Sequence, residues 1–177
     1  SNSGEATLQV PADIGSVEYQ INLSNEQSVA GIHIDSHQPI STFQQVGQIP
    51  TSIITADMAY QNYHNELTNR YRGSHTGYSH TYRMKEAMIA MALFGEGNSY
   101  VQGNAEVLSA FTGFTEVLRK ILPETLGFIE IAVRPPEVVL VTRSGEFLID
   151  AASGGVMTLI DLAWRLYMFS LSHSEFV

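Results

Sequence analysis

The sequence of 177 residues predicts an α+β protein that forms a single domain or part of one, and three patterns lead to this prediction. Apolar and polar residues alternate in the first third, which is typical of strands with one buried face. Through the middle, apolar residues recur every three or four positions, as they do on the buried face of a helix. The last third returns to alternation and ends in a long apolar stretch. We therefore predict an N-terminal antiparallel β-meander, a central helical lobe, and a β-hairpin followed by a long C-terminal helix.

The first segment, residues 1–56, is predicted to contain the meander and a loop. Alternation predicts strands at residues 7–10, 17–23 and 29–35, antiparallel and with one face in water. Residues 36–56 include two prolines and a glycine, and they are expected to form a long ordered loop. Loops of this length in compact domains are usually functional or disordered.

The second segment, residues 57–123, is predicted to be the helical lobe. Asp57 and Asn104 are the expected N-caps of its first and third helices, because a short polar side chain there accepts a hydrogen bond from a free backbone N–H. Three methionines on the second helix fall near one face and are expected in the core. The predicted helices span residues 57–70, 82–94 and 104–122.

The third segment returns to strands and then to a helix. Residues 127–150 are expected to hold a strand at 128–133 and a hairpin whose turn contains Gly145. Residues 153–172 contain the long apolar helix. Its most apolar stretch, Met157 to Leu171, is too short and too charged to cross a bilayer, so no membrane association is predicted.

Composition and charge exclude several classes of protein. The chain has no cysteine, which excludes a disulfide scaffold, a thiol nucleophile and cysteine-ligated zinc. The formal net charge is −9, and no Lys or Arg precedes Arg70. Such an acidic chain is a poor general binder of nucleic acid, because phosphate contacts need Lys and Arg. No targeting segment is recognised, and a cytoplasmic location is expected.

The strongest candidate site is the turn that contains Ser153, Gly154 and Gly155, between the hairpin and the last helix. Ser153 is a suitable N-cap. The glycines permit close approach of a ligand to the backbone, whose free N–H groups carry the positive end of the helix dipole. Such a helix start can bind a phosphate or another anion. A capped helix after a glycine turn, without any ligand, accounts for the same pattern.

The run FLIDAASGGVMTLIDLAW, residues 147–164, resembles the signature segment of ABC-type ATPases, in particular the soluble RecF/SMC-type and OLD-like members. The stretch from Tyr82 through Glu137 is similar to the lobe that precedes the signature. In these families the signature Ser and Gly contact the γ-phosphate of ATP that a partner subunit holds in its P-loop. The resemblance implies this role for Ser153, Gly154 and Gly155, although Val156 replaces the polar residue that follows the glycines in the family.

The resemblance also implies ATP and Mg²⁺ as cofactors of the parent protein, a homodimer formed through ATP, and a Q-loop glutamine that contacts the metal and the attacking water. Gln38 is the candidate, since it follows the predicted strand 29–35. Gln44, Gln45 and Gln48 lie close by as alternatives.

Two elements of these ATPases do not occur in the sequence. There is no G-x-x-x-x-G-K-[ST] motif to hold the α- and β-phosphates, and no apolar strand ending in Asp-Glu to hold Mg²⁺. The family places the first before this stretch and the second after the signature helix. The chain is therefore interpreted as the middle piece of a larger ATPase, and by itself it is expected to be inactive.

A second hypothesis is a stand-alone interaction module for protein or nucleic acid. Its acidic meander would bind a basic partner, or a basic cluster interleaved with aromatic residues would bind DNA, RNA or phosphate. Glu66 precedes Arg70 by four residues, the spacing at which opposite charges pair on a helix. The cluster consists of Arg70, Arg72, Arg83 and Lys85.

A third hypothesis is a metal-dependent enzyme. His33, Asp35 and His37 alternate along the predicted strand 29–35 and so share one face, which suits a divalent metal. A polar outer face of the strand accounts for the same alternation, and no fourth ligand is apparent.

Overall fold

The computed structural model of the chain describes residues 6–9, 20–23, 31–32, 34, 43–74 and 76–173. These fall into two compact units, Ser1–His33 and Ile34–Val177. The second unit combines four helices with a three-stranded antiparallel sheet and is rich in helix. The prediction of a mixed helix-and-sheet protein is therefore confirmed.

The described residues of the first unit include two short strands, β1 (Ala6–Gln9) and β2 (Gln20–Leu23). They pair antiparallel, with Ala6 opposite Leu23. The third strand predicted for the meander, at residues 29–35, lies mostly outside the described residues.

The first three helices begin at side-chain caps. They are α1 (Ala56–Tyr71), α2 (His80–Glu96) and α3 (Ala105–Ile121). Ser79 Oγ accepts from the Tyr82 N–H at 3.0 Å, and Asn104 Oδ1 accepts from two N–H groups of the first turn of α3, each at 3.1 Å. The prediction for Asn104 is thus confirmed.

The predicted N-cap of α1, Asp57, is wrong by two positions. Thr55 has the extended backbone of a cap, and its hydroxyl accepts from the Met58 N–H at 3.3 Å. Asp57 lies instead inside the first turn, where its carboxylate suits the positive end of the helix dipole.

Glycines permit a close crossing between α2 and α3. Gly97 ends α2 with a φ of 70°, a conformation that side chains disfavour. A Cβ added at Gly95 would lie 2.9 Å from the Leu108 Cα, and one added at Gly103 would meet the backbone at the end of α2. The two helices can therefore approach at this end only because these positions carry no side chain.

The sheet of the second unit consists of β3 (Phe128–Arg134), β4 (Glu137–Thr142) and β5 (Gly145–Leu148), paired in that order. Its central strand, β4, buries three consecutive residues, Val138 to Leu140. Helix α2 contacts β4, and α3 contacts β3. The sheet therefore packs on these helices.

The last helix, α4 (Gly154–Ser172), contacts α1 and α3. Trp164 on α4 meets Phe114 on α3 edge to face, with ring centroids 5.0 Å apart. The three methionines of α2 are fully buried, which confirms their predicted place in the core; they are Met84, Met88 and Met91.

On the side of α4 that faces α3, an open apolar groove of about 440 Å³ remains. Leu162 and Leu166 are more than a third exposed there. Within the described residues, no helix combines the length and the apolar character that a membrane span requires.

Candidate functional site

The turn before α4 presents an exposed backbone at the surface. Ile149 is fully buried at its start and Met157 is buried just after it, while Ser153, Gly154 and Gly155 between them are exposed. Ser153 occupies the N-cap position, as predicted, but its side chain makes no capping hydrogen bond. Helix α4 differs in this respect from α1, α2 and α3, whose caps fill that role.

Among the residues that the structure describes, neither glycine is required by packing or by backbone conformation. A Cβ at Gly154 or at Gly155 would meet no atom within 4 Å, and neither residue has a positive φ. Glycine in a helix costs about 1 kcal/mol relative to alanine. The described residues therefore offer no structural reason for two consecutive glycines at this helix start.

The electrostatics of the turn favour an anion. The first turn of α4 contains no acidic residue, and the Ser153 side chain accepts no hydrogen bond from its N–H groups. The helix extends over 19 residues, so its N-terminus carries the full partial positive charge of a helix end, about half a unit. The nearest acidic residue in sequence, Asp150, is turned inward to a buried ammonium group.

That ammonium group belongs to Lys85 on α2, whose side chain is 0% exposed. Its Nζ lies 2.5 Å from Asp150 Oδ2 and 3.0 Å from Glu137 Oε2, and these carboxylates are 4% and 13% exposed. The same Nζ lies 5.2 Å from the centroid of the Phe43 ring, within the range of a cation–π contact. Four separate segments of the chain meet at this point, and we call the three charged residues the Lys85 cluster.

Burial dominates the behaviour of Asp150. Desolvation raises the pKa of this carboxyl, and the repulsion of Glu137 acts in the same direction. The hydrogen bond and charge of Lys85 and the backbone of Gln44 lower it, but the net direction is upward. Desolvation therefore destabilises the charged form of Asp150 more than its partners stabilise it, as is common for buried ion pairs.

The predicted Q-loop residue, Gln38, lies outside the described residues. Of its alternatives, Gln44 has an internal role: its Nε2 donates to the Gly77 carbonyl at 2.9 Å, and its Oε1 accepts from the Ser79 N–H at 2.9 Å. Gln45 and Gln48 are exposed. They line a polar cleft of about 690 Å³ between the loop at residues 43–54 and helices α1 and α2.

The structure divides the predicted basic cluster. Arg83 is paired with Glu66 at 3.2 Å and with Glu86 at 2.9 Å. Burial lowers the pKa of Arg83, but the hydrogen bonds and charges of these two carboxylates outweigh it, so the net direction is upward. The predicted pairing of Glu66 with Arg70 is replaced by this contact with Arg83.

The other members of the basic cluster lie in different settings. Arg70 donates from Nη2 to the Tyr78 carbonyl at 3.2 Å, and Arg72 is exposed. Lys85 is enclosed in the interior with its two carboxylates. The four residues therefore do not form one exposed basic surface.

A second buried polar group lies between α1, α2 and α4. His80 Nε2 is 3.8 Å from Asp161 Oδ2, and the Tyr63 ring meets the His80 ring edge to face. Burial and the Asp161 carboxylate raise the pKa of Tyr63 well above its ordinary value. Since Tyr63 and His80 are fully buried, we assign this group to the interior of the helical lobe.

The predicted metal ligands, His33, Asp35 and His37, all lie outside the described residues. Within the described ranges, no group of three His, Asp or Glu side chains is arranged to hold a metal ion.

Comparisons with protein-family models, with curated proteins and with solved structures each found no match to this chain. Its function is therefore inferred from its own residues and their geometry.

Sequence reasoning missed the Lys85 cluster behind the candidate site. Its partners are 52 and 65 residues from Lys85 along the chain, so no local pattern connects them. One signal was present in the sequence. Lys85 follows Met84 on α2, a helix that buries most of its apolar residues. A charged residue in that position needs a buried partner.

Proposed function

We propose that this chain is the signature-bearing part of an ABC-type ATPase head of the RecF/SMC or OLD-like class. In this proposal the N–H groups at the start of α4, with Ser153, Gly154 and Gly155, contact the γ-phosphate of ATP held by the P-loop of a partner subunit. Helix α4 is then the signature helix. The two heads close as a homodimer around ATP and Mg²⁺, and hydrolysis releases them.

One observation carries the proposal: the start of α4 is exposed, lacks a side-chain cap, and contains two glycines that the described residues do not require. A phosphate approaching from outside accounts for all three properties. It would accept hydrogen bonds from the free N–H groups, and it would need the space that a Cβ would fill. The resemblance of residues 147–164 to the signature segment supports the same interpretation.

The proposal assigns this chain no P-loop, because its sequence contains none. ATP is bound by a P-loop elsewhere in the parent protein, and the chain itself supplies a contact in trans. Ser153 and the glycines therefore stabilise the closed dimer and hold no nucleotide tightly by themselves.

The test replaces Ser153 in the parent protein that contains this chain. Ser153→Arg places a long side chain where the γ-phosphate approaches. We therefore expect ATP-dependent dimerisation to weaken by at least about tenfold, which corresponds to about 1.4 kcal/mol. Ser109→Arg is the matched control, because Ser109 is exposed on α3 and gains the same charge. Analytical ultracentrifugation with and without ATP measures the dimer. Unchanged dimerisation and turnover in the Ser153 variant would falsify the trans contact.

A further inference from the structure

Among the described residues, one polar side-chain contact joins the turn that contains Ser153 to another helix. Asp150 makes this contact. Asp150 precedes Ser153 by three residues and lies in the short 3-10 turn Ile149–Ala151. Its Oδ2 lies 2.5 Å from Lys85 Nζ on α2. The residues from Ala151 to Gly155 are at or near the surface. The ion pair is therefore placed to set the position of the turn relative to α2.

The same cluster also reaches the loop at residues 43–44. Phe43 lies against the Lys85 ammonium, and the backbone of Gln44 interacts with Asp150. Both polar atoms of the Gln44 side-chain amide are hydrogen-bonded, one to the Gly77 carbonyl and the other to the Ser79 N–H at the cap of α2. A displacement of this loop would therefore change contacts at Asp150 as well as at the start of α2.

A contribution to stability alone does not explain why charged groups are placed here. Removing three charges from water is unfavourable, pairing offsets only part of that cost, and apolar replacements of such ion pairs are often as stable. The raised pKa of Asp150 agrees with a desolvation cost that pairing offsets only in part. A buried ion pair does, however, define a specific geometry, because both groups need each other at short range.

We propose that Lys85 is a positioning residue, which through Asp150 holds the Ser153–Gly155 turn in a defined place relative to α2 and the loop at residues 43–44. The functional part of this inference rests on the proposed function. The positioning itself concerns this chain alone and can be measured without nucleotide.

The test compares two alanine variants. Each removes one of the two carboxylates that contact Lys85, and the two carboxylates belong to different segments. Asp150→Ala frees the turn, whereas Glu137→Ala frees the start of β4. Each leaves Lys85 with one carboxylate, so neither variant leaves a buried ammonium without a counter-charge. Lys85→Met is a poorer variant, because it leaves two buried carboxylates together and can fail to fold.

Hydrogen exchange is the first measurement, on residues 148–157 of this chain. We expect Asp150→Ala to speed exchange in this segment about tenfold, because the turn opens more easily, while Glu137→Ala leaves it near wild type. Peptides from α3 provide the internal reference. Equal acceleration in both variants, or none in either, would overturn the positioning role.

Dimerisation of the parent protein is the second measurement. In the Asp150→Ala variant we expect ATP-driven dimerisation to weaken about tenfold while ATP affinity of the dilute monomer is unchanged, since the P-loop is untouched. Loss of fold alone would lower both quantities. If Asp150→Ala and Glu137→Ala weaken dimerisation equally, the positioning role is overturned.

The outcomes separate this inference from the proposed function. If Ser153→Arg leaves dimerisation unchanged, the proposed function fails, and the exchange measurement still decides whether Lys85 positions the turn. If Ser153→Arg weakens dimerisation but Asp150→Ala does not, the proposed function stands and the positioning role in it fails.

Discussion

At Lys85 a single ammonium group, removed from water, is in contact with carboxylates from β4 and from the turn before α4. Met84 and Met88, one position before it and three after it on α2, are buried as well, so Lys85 is a charged residue among buried apolar side chains of this helix. Such a group is tolerated only with partners close by. Lys85 is therefore a buried charge whose partners come from two other segments of the chain.

Asp150 is expected to make stability depend on pH with a defined sign. Its pKa is raised in the folded state, so the folded protein holds this proton more tightly than the unfolded chain. Its contribution to the free energy of unfolding is therefore greatest below the ordinary carboxyl pKa and declines as pH rises through the raised value. Urea unfolding of wild type and Asp150→Asn from about pH 4 to 7 measures this dependence.

The stability of the wild type relative to Asp150→Asn should fall across that pH range. Glu130→Gln, which removes an exposed carboxylate from β3, provides the reference for a surface change. A stability difference that instead grows with pH would contradict the upward direction of the Asp150 pKa.

At the scale of elements, the start of α4 differs from the starts of the other three helices. Their caps are occupied by Thr55, Ser79 and Asn104, whose side chains accept from the first turn. The start of α4 has the sequence of a cap but not its hydrogen bond. An external acceptor can satisfy N–H groups that the protein leaves open.

Replacement of the two glycines should separate stability from function. Gly154→Ala and Gly155→Ala are expected to leave the free energy of unfolding unchanged or to raise it by up to about 1 kcal/mol each, because the space is open and alanine favours helix. According to the proposed function, the same changes should weaken ATP-driven dimerisation of the parent protein. Gly145→Ala is the matched control: its surroundings are open too, but its φ of 140° disfavours alanine, so it should destabilise. Marked destabilisation by the α4 changes would contradict this expectation.

Gly113 on α3 lies in close contact with Tyr167 on α4. A Cβ at Gly113 would overlap the Tyr167 hydroxyl, with Cζ only 3.0 Å away. Gly113→Ala should therefore destabilise by about 1–3 kcal/mol despite the better helix propensity of alanine. Tyr167→Phe removes the overlapping hydroxyl and should recover part of the loss in a double-mutant cycle measured by urea unfolding. The prediction fails if Gly113→Ala is as stable as wild type.

For the molecule as a whole, acidic residues outnumber basic ones, and several of the bases are paired with acids. All nine Lys and Arg residues lie from Arg70 onward, in a chain with a net charge of −9. Arg83 and Lys85 each contact two carboxylates, and Arg134 pairs with Glu146. These contacts neutralise Arg83, Lys85 and Arg134, and the net charge of −9 opposes binding of a phosphate backbone.

We therefore expect no appreciable binding of DNA by this chain, even at about 50 mM salt. A gel-shift titration compares wild type with a variant in which Arg70, Arg72 and Arg83 are changed to Ala. The control removes three arginines elsewhere: Arg119, Arg134 and Arg143. A salt-dependent shift that only the first variant abolishes would instead support the nucleic-acid interaction module.

Prediction from sequence succeeded where local rules decide. Asn104 is followed by apolar residues at helical spacing, and α3 forms there with the expected cap. It was wrong at Asp57, because two nearby residues can both cap a helix and only the backbone conformation of Thr55 selects between them. The positions of Ser153 and the glycines were identified from sequence, but the missing cap bond and the open space around them were not.

The sequence by itself determined that this chain mixes helices with antiparallel strands, that the three methionines of α2 belong to the core, and that a glycine pair begins its last helix. These features follow from hydrophobic period and backbone preference, which act over a few residues. Only the tertiary structure decided that Lys85 is buried against Glu137 and Asp150, and that Glu66 pairs with Arg83 rather than with Arg70. Such contacts join distant segments, and their energies depend on burial and on separations of a few ångströms that no local pattern contains.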